Sequence, residues 1–192
     1  RIDGVKQVLS SLKQQLNTAR VRQRLPGQPA PKLEAQAWIN GNPLAKDELK
    51  GKVVLLDFWA VWCGPCIATF PHLREWHEKY HDQGLRIVGL TRPYGFGWND
   101  ALGRPEKQDN LSGEQEAAAL EKFAQHHKLQ HHLGLMTEDT TLPDQFGVEG
   151  IPNIVLVDRA VTVRLIRVGA GEETAADIEA AIQALLQDGS AN

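Results

Sequence analysis

Cysteine is scarce in this chain, at 2 of its 192 residues. That number excludes a fold held together by several disulfides, and a closed zinc site would need histidines to complete its ligand set. Long apolar runs are missing as well. No stretch approaches the ~20 residues that a membrane-spanning helix requires, and no secretory signal pattern is visible. Neither sign of charge dominates. The formal net charge is −3, which argues against nucleic acid or another polyanion as partner. The first residue is Arg1 rather than Met, so the chain is read as a processed or excised piece that has shed any targeting segment. The rest is ordinary for a globular protein: 42% of residues are apolar and 23% charged, in a length that suits one domain with appendages.

The two cysteines fall in Trp62-Cys63-Gly64-Pro65-Cys66, entered from the apolar run Val53-Val54-Leu55-Leu56-Asp57-Phe58-Trp59. The run reads as a strand buried on both faces. Ile67, Phe70, Leu73, Trp76 and Tyr80 then recur at helical spacing, and Pro65 suits a first helical turn. The cysteines therefore sit where a buried strand hands over to a helix. There, unpaired backbone N–H groups and the positive end of the helix dipole favour thiolate, the form that attacks disulfides. A plain stabilising bridge is the alternative, but so short a loop would restrict the unfolded chain little. The spacing favours redox chemistry.

Residues 1–25 predict an amphipathic helix, with Ile2, Val5, Leu9, Leu12, Leu16 and Ala19 alternating spacings of three and four. The segment carries six basic residues against Asp3, a net +5 that leaves −8 for the remainder. It is expected to pack on this domain or on a neighbouring domain of a larger parent; a dimer seam and a membrane-surface helix are the alternatives. Pro26-Gly27-Gln28-Pro29-Ala30-Pro31 reads as a stiff, extended linker. Residues 26–192 form the second division of the chain. In it, Asn40-Gly41 predicts a hairpin between residues 35–39 and Pro43-Leu44, and residues 46–51 a short helical turn.

A second buried strand, residues 85–91, follows the helix, so the first two core strands are expected to be parallel with a right-handed crossover. Residues 93–111, with Tyr94, Phe96 and Trp98 among glycines, read as a long irregular insert. Ser112 and Gln115 fit a capping box that opens the next helix. Residues 133–136 predict a strand and 139–146 a short helix. Pro152 then precedes the strong run Asn153-Ile154-Val155-Leu156-Val157, which marks a strand start or a bend with a cis bond. Residues 161–168 alternate as an antiparallel partner strand, and Ile178, Ala181, Ile182, Leu185 and Leu186 share one face of a closing helix.

The stretch Asp57-Phe58-Trp59-Ala60-Val61-Trp62-Cys63-Gly64-Pro65-Cys66 resembles the active-site strand and turn of the thioredoxin-like superfamily, and Gly150-Ile151-Pro152 resembles its cis-proline loop. Residues 27–31 through Leu49-Lys50-Gly51-Lys52 are similar to the entry region of the TlpA/ResA-type thiol–disulfide oxidoreductases, a redoxin branch. The resemblance covers about residues 27–187 and leaves the N-terminal helix unexplained. It implies an α/β thioredoxin fold: a central mixed sheet flanked by helices, an N-terminal β-hairpin extension, an insert after the second core strand and the extra N-terminal helix.

By that resemblance Cys63 is the attacking thiolate and Cys66 the resolving thiol, with Gly64 and Pro65 leaning the pair toward reduction. Asp57, an acid in an otherwise apolar strand, should have a raised pKa, and by resemblance relays a proton to or from Cys66. Trp59 reads as core and Trp62 as substrate surface. A cis Pro152 would lie against the dithiol, shielding the sulfurs from metal and leaving the Ile151 backbone to pair with an extended substrate. The resemblance implies no cofactor beyond the redox-active Cys63–Cys66 disulfide and no metal. It also implies disulfide-bearing protein substrates, an upstream thiol electron donor, a monomer, and an extracytoplasmic location with a membrane tether or larger parent.

Two other function classes compete with this one. A peroxiredoxin-type peroxidase would want Pro and Thr seven and three residues ahead of its reactive cysteine, and Leu56 and Ala60 stand there instead. A non-catalytic module would use the dithiol only to clasp a protein or copper. Among weaker signals, His126, His127, His131 and His132 form two close pairs that are expected to be solvated surface rather than a metal site. His72 and His77 lie on the active-site helix with nothing to aim either ring at a sulfur. Tyr94, Phe96 and Trp98 would make either a recognition lid or a loop folded over an apolar patch.

Overall fold

The computed structural model describes residues 2–44 and 46–188. The chain opens with helix α1 (Ile2–Arg24), then strand β1 (Ala37–Ile39), the single turn α2 (Lys46–Leu49) and strand β2 (Val53–Phe58). Helix α3 (Gly64–Tyr80), strand β3 (Leu85–Thr91), strands β4 (Phe96–Asn99) and β5 (Arg104–Lys107), and helix α4 (Gly113–His126) follow. Strand β6 (His132–Leu135), the turn α5 (Leu142–Gln145), strands β7 (Asn153–Val157) and β8 (Val163–Val168), and helix α6 (Glu172–Gln187) complete it.

Six strands form one sheet in the order β1-β6-β3-β2-β7-β8. β2 lies inside it, parallel to β3 and antiparallel to β7, and all six of its residues are buried. That is why its sequence is unbroken by polar residues other than Asp57. Alternation sends Val53 and Leu55 into one core with Trp59, Phe70 and Phe123, roofed by α3, α4 and α6. Val54, Leu56 and Phe58 enter a second core with Leu142 and Phe146 on the opposite face. Two buried faces on one strand give the site a rigid floor.

Several expectations need correction. Asn40 does adopt a left-handed φ of 63°, but no hairpin follows, and residues 43–44 form no strand. The Asn40 side-chain amide instead donates to the carbonyls of Leu129 and His131 at 2.8 and 3.0 Å, and β1 pairs antiparallel with β6. The insert is not irregular: β4 and β5 pair as a hairpin, closed where Asn99 Oδ1 accepts the N–H groups of Ala101 and Leu102. Its sequence hid this because β5 is mostly exposed and carries Pro105. The extended segment after Pro26 is no free linker. Gly27 and Ala30 donate to the carbonyls of Val163 and Val161, and Val163 N–H returns to Gln28.

Helix α1 also packs otherwise than its seam suggests. Val5, Leu9, Leu12 and Leu16 are each about half exposed or more. Arg1 and the side chain of Ile2 lie outside the described residues. The opposite face of the last turns does the packing, through Thr18 and Leu25, which are buried, and through an Arg22–Glu149 ion pair at 3.0 Å. Gly147, at φ +67°, makes the approach possible, since a Cβ there would lie 2.7 Å from the backbone nitrogen of Arg22.

His131 is not solvated surface. It is 2% exposed, its Nδ1 has no hydrogen-bond partner among the described residues, and burial pulls its pKa down from 6.5 to about 3. A lowered pKa means that below pH 6.5 the unfolded chain binds a proton that the folded chain refuses, so stability falls as pH falls from 6.5 toward 3. At pH 5 this one group should cost about 2 kcal/mol relative to pH 8. His131→Leu should therefore gain on the parent protein by that amount between pH 8 and pH 5 in urea titrations. A difference that stays constant with pH would refute the assignment.

Candidate active site

The site grows from the end of β2. After Phe58 the chain turns through residues 59–62, and Cys63 becomes the N-cap of α3, its sulfur accepting the backbone N–H of Cys66 at 3.2 Å. This is the role that a Ser or Asp oxygen plays at other helix starts, filled here by sulfur. Pro65 occupies the first turn, where its missing N–H leaves no bond unmade. Cys63 and Cys66 are joined as a disulfide, with α-carbons 5.2 Å apart. Cys63 is 4% exposed and Cys66 fully buried, so any partner must meet Cys63 first. Trp62, Gly64 and Pro65 are exposed around the bridge.

The Ile151–Pro152 peptide is cis. Pro152 is buried, and its carbonyl accepts the N–H of Gly169 at 2.9 Å. Ile151 packs on the core cluster that contains both cysteines. A groove of about 300 Å³ brings Trp62 together with Gly150 and Ile151, and Arg92 and Tyr94 also line it. Thus Trp62 from the first motif and Gly150 and Ile151 from the second meet on one groove. Tyr94 packs its ring edge-on against Trp62, centroids 5.4 Å apart.

Asp57 lies on the same face of β2 as Leu55 and Trp59, the face covered by α3 and its Cys66. It is 1% exposed, and neither carboxylate oxygen has a hydrogen-bond partner among the described residues. Burial pushes its pKa up from 3.8 to about 7. A carboxyl poised there can hold or give up a proton at neutral pH, as a general acid or base needs.

Other candidates are drawn elsewhere. Trp59 is core, stacked on Phe123 at 5.3 Å. His126 meets Trp98, and His127 packs between Phe70 and Phe123. His72 stacks on Trp76 and reaches Glu172 at 3.4 Å, and His77 lies against His81. Among the described residues no group of three or more His, Cys, Asp or Glu is arranged to hold a metal ion. Nor is any described helix long and apolar enough to cross a membrane. Glu116 was missed entirely. Its carboxylate, on α4, accepts the N–H of Tyr94 at 2.9 Å and that of Gly95 at 3.0 Å, a contact between distant segments that leaves no trace in local sequence.

Residues 26–166 match the family model described as the AhpC/TSA family. The chain belongs to the AhpC/TSA family. Within it, a 63-residue stretch, 31% of this chain and 9% of the relative, is 44% identical to the protein DipZ of Mycobacterium tuberculosis. A 52-residue stretch, 27% of this chain and 30% of the relative, is 38% identical to the thiol-disulfide oxidoreductase ResA of Bacillus anthracis. The chain thus spans less than a third of the length of either relative. Among solved structures, one described as a thiol:disulfide interchange protein DsbE from Chlorobium tepidum superposes with a TM-score of 0.64. It is 26% identical, and the match covers 84% of this chain and 97% of that one. This AhpC/TSA member therefore has the thioredoxin-like fold that the two motifs implied, without the front hairpin.

Proposed function

We propose that this AhpC/TSA-family chain is a thiol–disulfide oxidoreductase that reduces protein disulfides. The observation that carries the reading is the Cys63–Cys66 pair at the start of α3, with Cys63 toward the surface and a buried acid, Asp57, on the sheet face beneath the helix. In the dithiol form, the Cys63 thiolate attacks a substrate disulfide. A Cys63–substrate bond forms, the substrate S–S bond breaks, and one substrate thiolate leaves and takes a proton from water. The Cys66 thiol then passes its proton to the Asp57 carboxylate and attacks the Cys63 sulfur. The second substrate sulfur departs as thiolate and takes up that proton, and the Cys63–Cys66 disulfide closes. Two electrons move from enzyme to substrate, and an upstream thiol donor restores the dithiol.

In this reading Trp62, Gly64 and Pro65 form the contact surface around Cys63. Ile151 offers main chain to an extended substrate, and Pro152 fixes that loop against the dithiol. Residues 26–192 are the catalytic domain, acting as a monomer, with residues 1–25 appended. The partners are protein disulfides rather than nucleic acid, and no cofactor is required beyond the cysteine pair. Likeness to ResA, DipZ and DsbE supports work outside the cytoplasm, with a membrane tether or larger parent holding the domain there. The peroxidase alternative lacks support at Leu56 and Ala60.

The deciding experiment is the equilibrium reduction potential of the Cys63–Cys66 pair, followed by tryptophan fluorescence in dithiothreitol or glutathione buffers. Trp62, next to the bridge, provides the signal. A value near the roughly −270 mV of thioredoxin is expected. A value near the roughly −120 mV of the strong periplasmic oxidant would reverse the direction of electron flow. With no reversible two-electron transition, the catalytic reading would fall.

A further inference from the structure

The β4–β5 hairpin is an addition to the six-stranded sheet, and the structure shows how it is tied down. Glu116 Oε2 accepts the N–H groups of both Tyr94 and Gly95, at 2.9 and 3.1 Å, and Oε1 accepts the latter at 3.0 Å. The Tyr94 carbonyl accepts from the Lys107 ammonium on the facing strand. Further out, the Lys122 ammonium holds Asp100 at 2.8 Å. Two of these three ties converge on the backbone of one residue, Tyr94. That residue presents its ring edge to Trp62, which stays 51% exposed beside Cys63. A large aromatic left half in water next to a buried disulfide is a surface that a partner can cover.

We propose that Glu116 is a positioning residue for substrate recognition. By clamping the Tyr94–Gly95 backbone it holds the Tyr94 ring against Trp62, and the Trp62–Tyr94 pair is one wall of the groove that receives an extended, apolar segment of a protein disulfide substrate. The Gly150-Ile151 stretch and Arg92 line the same groove. The partner is polypeptide rather than a small thiol compound, because the wall lies beside the bridge and not on the sulfurs. A small disulfide needs only Cys63, whereas a folded or extended chain must also seat its flanking residues. The inference rests on the reductase reading above.

The test compares two substrates for the same reduced enzyme: insulin as a protein disulfide, and oxidised glutathione as a small one. For Glu116→Ala, KM for insulin should rise roughly tenfold, the loss that goes with one aromatic anchor of an interface. Its kcat, its rate with oxidised glutathione and the Cys63–Cys66 potential should each stay within about twofold, a change worth only ~0.4 kcal/mol. Glu116→Gln keeps an oxygen at the point where Oε2 accepts both N–H groups but places an NH2 group where Oε1 accepts that of Gly95, so it should recover only part of the loss. Tyr94→Ala should reproduce the rise in KM, and Tyr94→Phe, which keeps the ring, should not. Equal losses on both substrates, a shifted potential, or an unchanged KM in Glu116→Ala and Tyr94→Ala would each overturn the proposal. Were the unaltered protein to reduce oxidised glutathione but not insulin, this proposal would fall while the dithiol chemistry stood. Were it to reduce neither, the reductase reading itself would fall and take this one with it.

Discussion

Cys66→Ser is expected to accumulate a covalent adduct with a disulfide substrate through Cys63, visible by non-reducing gel or intact mass, whereas Cys63→Ser forms none. Both variants should lose turnover of protein disulfides by about a thousandfold or more, equivalent to ~4 kcal/mol of barrier. The asymmetry follows from position. Cys63 caps α3 and its sulfur already accepts a backbone N–H. The same donor and the helix dipole favour its thiolate once the bridge opens. Cys66 is fully buried inside the first turn of the same helix and can reach only the sulfur beside it. Its task is to resolve, so removing it stops the reaction after the first exchange. An adduct on Cys63→Ser and none on Cys66→Ser would reverse the two roles.

What could be read in the sequence is what depends on neighbours along the chain. An apolar run with one acid in it and a W-C-G-P-C turn each report their own local structure, so β2 and the start of α3 were foreseen, whereas at Pro152 the residues left a strand start and a cis bend as alternatives and the structure has the cis bond. The capping box at Ser112 and Gln115 was foreseen for the same reason, and both of its hydrogen bonds are present. What could not be read is which distant surface a local feature meets. Asn40-Gly41 announces a left-handed turn, and Asn40 adopts one. Yet the strand ahead of the turn, β1, pairs with β6 instead of a hairpin partner, and the Asn40 side chain finds carbonyls about ninety residues away. The seam of α1 tells which side chains share a face, but the face that lies against the domain is set with residues far along the chain, Gly147 and Glu149 among them. Glu116 is of the same kind: in the sequence it is one more acid near a helix start, and only the fold brings the insert to it.

Asp57 carries the largest stability effect. Its pKa is raised from 3.8 to about 7 by burial, so the folded protein keeps a proton that the unfolded chain releases above pH 3.8. Stability from this group is intact below pH 3.8 and is lost as pH climbs to 7, after which the loss is constant. At one proton and about 1.4 kcal/mol per pH unit, the window amounts to about 4 kcal/mol. Asp57→Asn, which cannot ionise, should therefore be more stable than the parent oxidised protein at pH 8. For a chain of this length the expected rise in Tm is about 8–16 °C, shrinking toward nothing near pH 4. Activity should move the opposite way. Without a carboxylate to take the Cys66 proton, protein-disulfide reduction at pH 7 should slow by roughly a hundredfold, and a pH–rate inflection near 7 should vanish. The variant also exposes a compensation. His131, with its lowered pKa, makes stability rise with pH across much of the window in which Asp57 makes it fall. The half-buried His77, His127 and His132, all lowered by burial, push in the same direction as His131. In the parent protein these slopes oppose one another between about pH 4 and 6.5. In Asp57→Asn the opposing slope is gone, and stability should climb over that range. A gain equal at pH 4 and pH 8 would mean that Asp57 ionises at the same pH in the folded and the unfolded chain, so that it holds no proton near neutrality, and its place in the proton transfer would go with it.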